Sequence, residues 1–124
     1  METISVDKVN RFANWLNILS EPKRLNILNK IIEGVQCNCN LCQSLSMSPN
    51  LVSHHISILC NSGIIMAEKG KNDARWVYYS IDTETMEKLR IFFNEFFNPA
   101  RIKRRLPSCG PGLIIKESVF KHED

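Results

Sequence analysis

The fold is decided by one stretch, residues 48–81, which reads SPNLVSHHISILCNSGIIMAEKGKNDARWVYYSI. Its first half carries the signals of a helix, because Ser48 can cap the N-terminus, Pro49 suits the first helical position and Gly63 can end the element. After Gly63 the apolar residues change from helical to alternating spacing, on both sides of a polar turn at residues 70–73. The stretch therefore predicts a helix followed by a β-hairpin.

Three further helices are predicted before this stretch. Apolar residues at helical spacing place the first over residues 6–18 and a short third over residues 38–46. The second is expected to start at Ser20 as its N-cap and to stop at Gly34. Its apolar stripe is predicted to consist of Leu25, Leu28 and Ile32.

One helix is predicted after the hairpin, over residues 83–98, with Asp82 as its cap. The chain is therefore mainly α with one small hairpin, in the order of a winged helix-turn-helix domain over residues 1–98. Residues 99–124 begin with a basic run and continue with Pro and Gly, so we expect a loosely ordered tail there.

Composition limits the classes of function. A chain of 124 residues with 44% hydrophobic residues can form one domain with a real core, and its net charge of +3 permits binding to a polyanion. No apolar run reaches the ~18 residues of a membrane span. The first residues lack an apolar signal stretch, so we expect a cytoplasmic protein with no membrane partner.

The helix predicted over residues 49–62 has two distinct faces. Val52, Ile56 and Leu59 form an apolar face, and the opposite face carries small polar groups suited to base edges in a major groove. No Asp, Glu, Lys or Arg occurs between residues 34 and 67, so cations elsewhere must meet the phosphates. The predicted DNA contacts are Ser48, Asn50, Ser53, His54, Ser57, Lys69, Lys71 and Arg75, with Lys23 and Arg24 as further phosphate contacts and His55 as a structural residue.

Cysteine spacing is the strongest chemical signal in the chain. Three of the five cysteines, Cys37, Cys39 and Cys42, lie at the start of the predicted third helix. On an ideal helix Cys37 would point near 0°, Cys39 to about 200° and Cys42 to about 140°, so the three converge only if the helix start is distorted. Thiolates select soft ions, here arsenic(III), antimony(III), cadmium, lead or copper(I). Three thiols with no His or carboxylate nearby favour a three-coordinate site over tetrahedral zinc.

Other interpretations of the cysteines stay open. Cys60 is expected to pack in the core, and Cys109 could be an auxiliary ligand, a redox thiol or neither. A redox switch on the same fold and a structural metal site in a constitutive DNA-binding protein are both alternatives. A catalytic dithiol normally accompanies a βαβ pattern, which the sequence lacks, so we do not expect an enzyme.

Four segments together resemble the ArsR/SmtB family of metal-sensing repressors: LSEPKRL at residues 19–25, CNCNLC at 37–42, SPNLVSHHI at 48–56 and RWVYY at 75–79. The cysteine segment is similar to that of the arsenite- and antimonite-responsive members. The resemblance implies a homodimer formed through the first and last helices, an operator DNA partner, and release of that DNA when the thiols bind the metalloid. Cadmium or lead, bound by Cys37, Cys39 and the tail Cys109, is the alternative effector.

Overall fold

A computed structural model of the chain describes residues 3–105, and its elements follow the order of a winged helix. Four helices precede the hairpin and one follows it, as predicted. The elements are α1 (Val6–Leu19), α2 (Pro22–Ile32), α3 (Asn38–Leu45), α4 (Pro49–Asn61), β1 (Ile65–Lys69), β2 (Val77–Ile81) and α5 (Thr83–Phe96), followed by a 3-10 turn, Pro99–Arg101.

The caps of α4 and α5 are those expected. The Ser48 side chain accepts a hydrogen bond from the backbone N–H of Leu51 at 3.2 Å, and Asp82 accepts one from the N–H of Glu84 at 3.2 Å. These bonds satisfy N–H groups that have no partner within the helix. The positions of both helix starts are therefore explained by local side-chain chemistry.

The expected cap of α2 is wrong. Ser20 has helical backbone angles and ends α1, where its hydroxyl donates to the carbonyl of Asn17 at 2.9 Å. Glu21 caps α2 instead, and its carboxylate accepts from the N–H of Lys23 at 3.2 Å. The reason is Pro22, since a proline disfavours helical angles in the residue before it and so keeps Glu21 extended.

The predicted stripe of α2 is also wrong in two of its three positions. Leu25 is 46% exposed and Ile32 is 52% exposed, whereas Ile27, Leu28 and Ile31 are buried. Ile27 and Ile31 stand one helical turn apart, so they form the face that packs on α3 and α4. Of the expected stripe, only Leu28 belongs to the core.

The core lies between α2, α3, α4 and the hairpin. The predicted inner face of α4 is confirmed, since Val52 and Leu59 are fully buried and Ile56 nearly so. The largest fully buried side chains are Ile27, Leu41, Leu59, Ile64, Ile65 and Val52. Burial of this apolar surface fixes α4 against the two helices before it.

The hairpin is antiparallel, with a register that runs from the pair Ile65 and Ile81 to the pair Lys69 and Val77. At its tip the N–H of Gly70 donates to the carbonyl of Trp76 at 2.7 Å. Val77, Tyr79 and Ile81 alternate toward the protein along β2, while Tyr78 and Ser80 are exposed. The predicted hairpin is thus confirmed, and its β2 strand lies over the start of α3. We call the hairpin, residues 65–81, the wing.

α1 and α5 pack on each other through aromatic rings and leave much apolar surface uncovered. Phe12 is buried against Phe92 and Phe96, at ring-centroid distances of 4.6 and 5.7 Å. Within residues 3–105, no residue of α5 is buried. Val6, Ile91 and Phe97 are 73%, 53% and 57% exposed. In the same part of the chain, no helix is long and apolar enough to cross a membrane.

Candidate thiol site and nucleic-acid interface

Cys37 lies outside α3. Its backbone is extended, with φ −138° and ψ 161°, and it forms an antiparallel bridge with Tyr78 of β2. Its carbonyl accepts from the N–H of Leu41 at 3.1 Å, so it holds the N-cap position of the helix. The sequence predicted that Cys37, Cys39 and Cys42 point in different directions on one helix. This prediction is corrected, because the pairing with β2 takes Cys37 off the helix.

The pKa of the Cys39 thiol is raised, first by its interaction with the Cys37 side chain, then by burial, and then by the charges of Cys37 and Cys42. The Cys39 thiol also donates to Oδ1 of Asn40 at 3.7 Å. Cys42 is half-buried and packs against the core. Across residues 3–105, no three His, Cys, Asp or Glu side chains converge at metal-binding distances, so a three-thiol site requires a rearrangement.

A cavity of about 250 Å³ joins the thiols to the wing. Two thiols form one side of it and the outer end of the hairpin forms the other. Its lining consists of Cys37, Asn38, Cys39, Arg75, Trp76, Val77 and Tyr79. The pKa of the Tyr79 phenol is raised by burial first, and then by the neighbouring Cys60, Cys37 and Cys42. The thiol segment and the wing therefore share one surface.

Two hydrogen bonds connect residues 36–38 to the DNA-binding elements. The N–H of Tyr79 donates to the carbonyl of Gln36 at 2.8 Å, which ties the segment to β2. Nδ2 of Asn38 donates to the hydroxyl of Ser53 at 3.3 Å, which ties it to α4. The sequence analysis did not identify Gln36, Asn38 or Tyr79 as functional, since only the folded contacts give them a role.

The predicted polar face of α4 is exposed. Asn50, Ser53, His54 and Ser57 are all accessible, whereas the hydroxyl of Ser48 serves as the helix cap. This arrangement leaves small uncharged groups along the outer side of α4. The geometry required of a reading helix is present, and its contacts to bases remain a prediction.

His55 is buried, as expected, and Arg24 is its partner. Nη1 of Arg24 lies 3.2 Å from Nδ1 of His55, and Nε of Arg24 donates to the carbonyl of Ile18 at 2.7 Å. Burial is the main cause that lowers the pKa of His55, and the charges of Arg24 and His54 lower it further. The expectation that Arg24 contacts phosphate is therefore corrected, because its guanidinium joins α1, α2 and α4. Lys23 is exposed.

The wing residues predicted to contact phosphate are Lys69, Lys71 and Arg75, and they differ in whether a carboxylate compensates their charge. Lys69 and Lys71 are exposed. Arg75 is 89% exposed but donates to Asp73, with Nη2 and Oδ2 2.7 Å apart, and the pKa of Asp73 is lowered by this contact. The Arg75 charge is thus partly compensated by Asp73, and the lysines present theirs more openly.

The remaining thiols lie apart from this site or beyond the described part of the chain. Cys60 is half-buried against the core, and burial raises the pKa of its thiol. This placement agrees with the packing role expected for Cys60. Cys109 lies outside the described residues, so its proposed part as a ligand remains a prediction.

Comparisons with known proteins point in one direction. Residues 21–66 match the family described as bacterial regulatory protein, arsR family. A Staphylococcus aureus protein named cadmium resistance transcriptional regulatory protein CadC homolog is 31% identical over an alignment of 99 residues that covers 69% of this chain and 79% of that protein. A Synechocystis protein named transcriptional repressor SmtB homolog is 29% identical over 90 residues, which are 72% of this chain and 66% of that protein, just under two thirds of its length.

A solved structure is similar as well. The crystal structure of a possible transcriptional regulator for arsenical resistance has a TM-score of 0.57 and 27% identity. The similarity covers 66% of this chain and 82% of that one.

Proposed function

The chain belongs to the ArsR family of bacterial regulatory proteins, and from that premise we propose that it is a homodimeric repressor which releases operator DNA when Cys37, Cys39 and Cys42 capture arsenic(III) or antimony(III). Members of this family are DNA-binding transcriptional regulators rather than enzymes. One observation carries the proposal: the cysteine segment is hydrogen-bonded both to the exposed polar helix and to the wing.

DNA binding is divided between α4 and the hairpin. Ser53, His54 and Ser57 offer donors and acceptors to base edges, and α4 has no bulky charged side chain to hold it out of the groove. Lys69 and Lys71 supply attraction to phosphates, which is independent of sequence. We therefore assign sequence recognition to α4 and most of the salt-dependent affinity to the wing.

The thiol segment is chemically suited to a soft three-coordinate ion. It offers three sulfurs, and the stretch from residue 34 to residue 53 contains no histidine or carboxylate that would complete a tetrahedral zinc site. The cytoplasm, where we expect the protein to act, keeps such thiols reduced. Because the pKa of Cys39 is raised, this thiol is protonated at neutral pH and must lose its proton when it becomes a ligand.

The three sulfurs can be brought together only by a rearrangement around the start of α3. Cys39 and Cys42 stand three residues apart in the helix, and Cys37 is held outside it by its bridge to β2. Convergence therefore requires the Cys37 backbone to shift relative to the wing. That shift is the proposed link between ion capture and DNA release.

The dimer is proposed to form through the uncovered apolar faces of α1 and α5. These faces carry Val6, Ile91, Phe93 and Phe97, each about half exposed or more in the single chain. Phe93 and Phe97 extend the aromatic cluster around Phe12. A two-fold axis at this surface would place the two α4 helices about 34 Å apart, one turn of DNA.

Operator release measured ion by ion tests the proposal. A duplex selected by the protein from a random-sequence pool is titrated in the presence of arsenite, antimony(III), cadmium or lead. Moving the protein from 99% to 1% DNA-competent requires a preference of about 5.5 kcal/mol for the released form. Arsenite or antimony(III) should release DNA from the parent but not from the double variant Cys37→Ser/Cys39→Ser. Cys60→Ser is the matched control and should still release DNA. Normal release from the double variant would refute the assignment.

Cadmium or lead is the second candidate, favoured by the name of the Staphylococcus aureus relative. In that case Cys109 would complete the site with Cys37 and Cys39, so Cys109→Ser should abolish release by cadmium and leave release by arsenite unchanged. Oxidation of two thiols among Cys37, Cys39 and Cys42 is the further alternative. Release by peroxide without any ion, reversed by a dithiol reductant, would identify that mechanism.

A further inference from the structure

We propose that Asn38 transmits ion capture to the reading helix, by holding Ser53 as an oriented hydrogen-bond donor in the DNA-binding state and letting go of it when Cys37, Cys39 and Cys42 converge on one ion. This inference rests on the proposed function, which it deepens by naming the residue that couples the two sites. Asn38 touches neither DNA nor ion in this account, so it is a positioning residue.

The position of Asn38 suits this role. It is the residue between two thiols and the first residue of α3, and its amide reaches across to α4. Nδ2 of Asn38 donates to the Ser53 hydroxyl at 3.3 Å. Ser53 lies on the exposed polar face, so this bond joins the thiol segment directly to a predicted base contact.

The direction of the bond determines what Ser53 offers to DNA. A serine hydroxyl has one proton and two acceptor positions. When its oxygen accepts from Asn38, its own proton is free to point away from α3, toward the outer side of α4. The major groove presents acceptors there, namely N7 and O6 of guanine and O4 of thymine. Ser53 is thus prepared as a donor before DNA arrives.

The anchors around Asn38 concentrate movement on it. Gln36 is tied to Tyr79 by a backbone hydrogen bond of 2.8 Å, and Leu41 is fully buried in the core. In the described part of the chain no three thiols converge, so the backbone between these two anchors has to move when Cys37, Cys39 and Cys42 bind one ion. Asn38 lies in that interval, so its amide cannot keep the same distance from Ser53.

The amide of Asn38 is also incompletely satisfied. Its Oδ1 is buried and has no hydrogen-bond partner among residues 3–105. A buried acceptor without a donor is unfavourable, so the observed position is not the one that satisfies both ends of the amide. Any arrangement that gives Oδ1 a donor would relieve this cost, which favours release of Ser53 once the thiols move.

The test compares Asn38→Ala with Gln43→Ala, using a duplex selected by the parent from a random pool and arsenite as the ion. Gln43 is the matched control, because it lies on α3 with an exposed side chain that touches neither the thiols nor α4 through a hydrogen bond. The measured quantity is the ratio of DNA Kd with and without arsenite, which for coupled sites is typically about 5–150. Near-ultraviolet thiolate absorbance reports arsenite binding independently.

Asn38→Ala should bind arsenite with the parent stoichiometry, bind DNA more weakly without arsenite, and show a ratio lowered by about tenfold or to near one. Gln43→Ala should keep the parent ratio. Lys71→Ala should weaken DNA binding without changing the ratio. A parent ratio in Asn38→Ala would overturn the proposal. Asn38→Asp, which keeps the shape but removes the N–H donor, gives the same test if the alanine variant does not fold.

A double-mutant cycle separates this inference from the proposed function. Without any ion, Asn38→Ala and Ser53→Ala should be non-additive in DNA affinity, because each breaks the same contact. Failure of every soft ion to release the parent would refute the proposed function and with it transmission by Asn38. Additive effects in the cycle would refute the Asn38–Ser53 contact even if the parent responds to arsenite.

Discussion

Replacing Arg24 with alanine should lower the unfolding free energy of the domain by about 2–4 kcal/mol. This is much more than is expected for the neighbouring Lys23, whose side chain is exposed. The guanidinium donates to the Ile18 carbonyl at 2.7 Å and to Nδ1 of His55 at 3.2 Å, both in a partly buried setting. Hydrogen bonds from a charged group contribute about 1.5–3 kcal/mol each, and the longer of these two should contribute less. Alanine would leave both acceptors without this donor.

Urea unfolding measures this loss, with Lys23→Ala as the control. Lys23 is exposed on the same helix, and its replacement should change the unfolding free energy by no more than about 0.5 kcal/mol. With slopes of about 1–3 kcal/mol per M, the midpoint for Arg24→Ala should fall by about 1–2 M. Both variants must be compared with the parent at equal protein concentration, because dimerisation adds to apparent stability.

One result would refute this reasoning. If Arg24→Ala unfolds at the same urea concentration as Lys23→Ala, and its DNA affinity depends less steeply on salt than the parent's, Arg24 contacts phosphate after all. Arg24→Lys adds a second check, since lysine keeps the charge but cannot bond Ile18 and His55 together. It should retain salt dependence and still lose stability.

Three more predictions concern the core, the buried histidine and the wing. Leu41→Ala should cost about 2–5 kcal/mol in urea unfolding, because Leu41 is fully buried between α3 and α4. The lowered pKa of His55 means that protonation favours the unfolded chain, so the unfolding free energy should fall as the pH drops below about 6.5. In His55→Gln, the unfolding free energies at about pH 7 and pH 5 should differ less than they do in the parent. Lys71→Ala should lower the salt slope of DNA binding by about one, and Arg75→Ala by less, because Asp73 already compensates Arg75; equal slopes would contradict this.

The bounds and type of an element could be predicted from the sequence where nearby residues in the chain determine them. Ser48, Pro49 and Gly63 delimit α4, and alternation of apolar residues identifies β2. The start of α2 was mistaken because two adjacent residues could both act as a cap. The constraint from Pro22 on Glu21 outweighed the higher capping preference of Ser20.

The sequence identifies which cysteines form the candidate thiol site, but not how they are arranged in space. The spacing of Cys37, Cys39 and Cys42 identifies a thiol cluster from the sequence alone. That Cys37 is extended depends on its bridge to Tyr78, which lies far along the chain. The bond from Arg24 to His55 likewise joins residues of different helices. Pairings at such separation leave no periodic trace in the sequence.

The separation of uncharged side chains on α4 from cations on the hairpin has an evolutionary consequence. Under the proposed assignment of DNA contacts, substitutions along α4 would redirect the protein to a new operator while the wing lysines preserve its general hold on DNA. Gene duplication followed by changes at Asn50, His54 or Ser57 would thus yield paralogues with distinct targets. Because residues 37–42 lie outside α4, each copy would inherit the same chemical trigger.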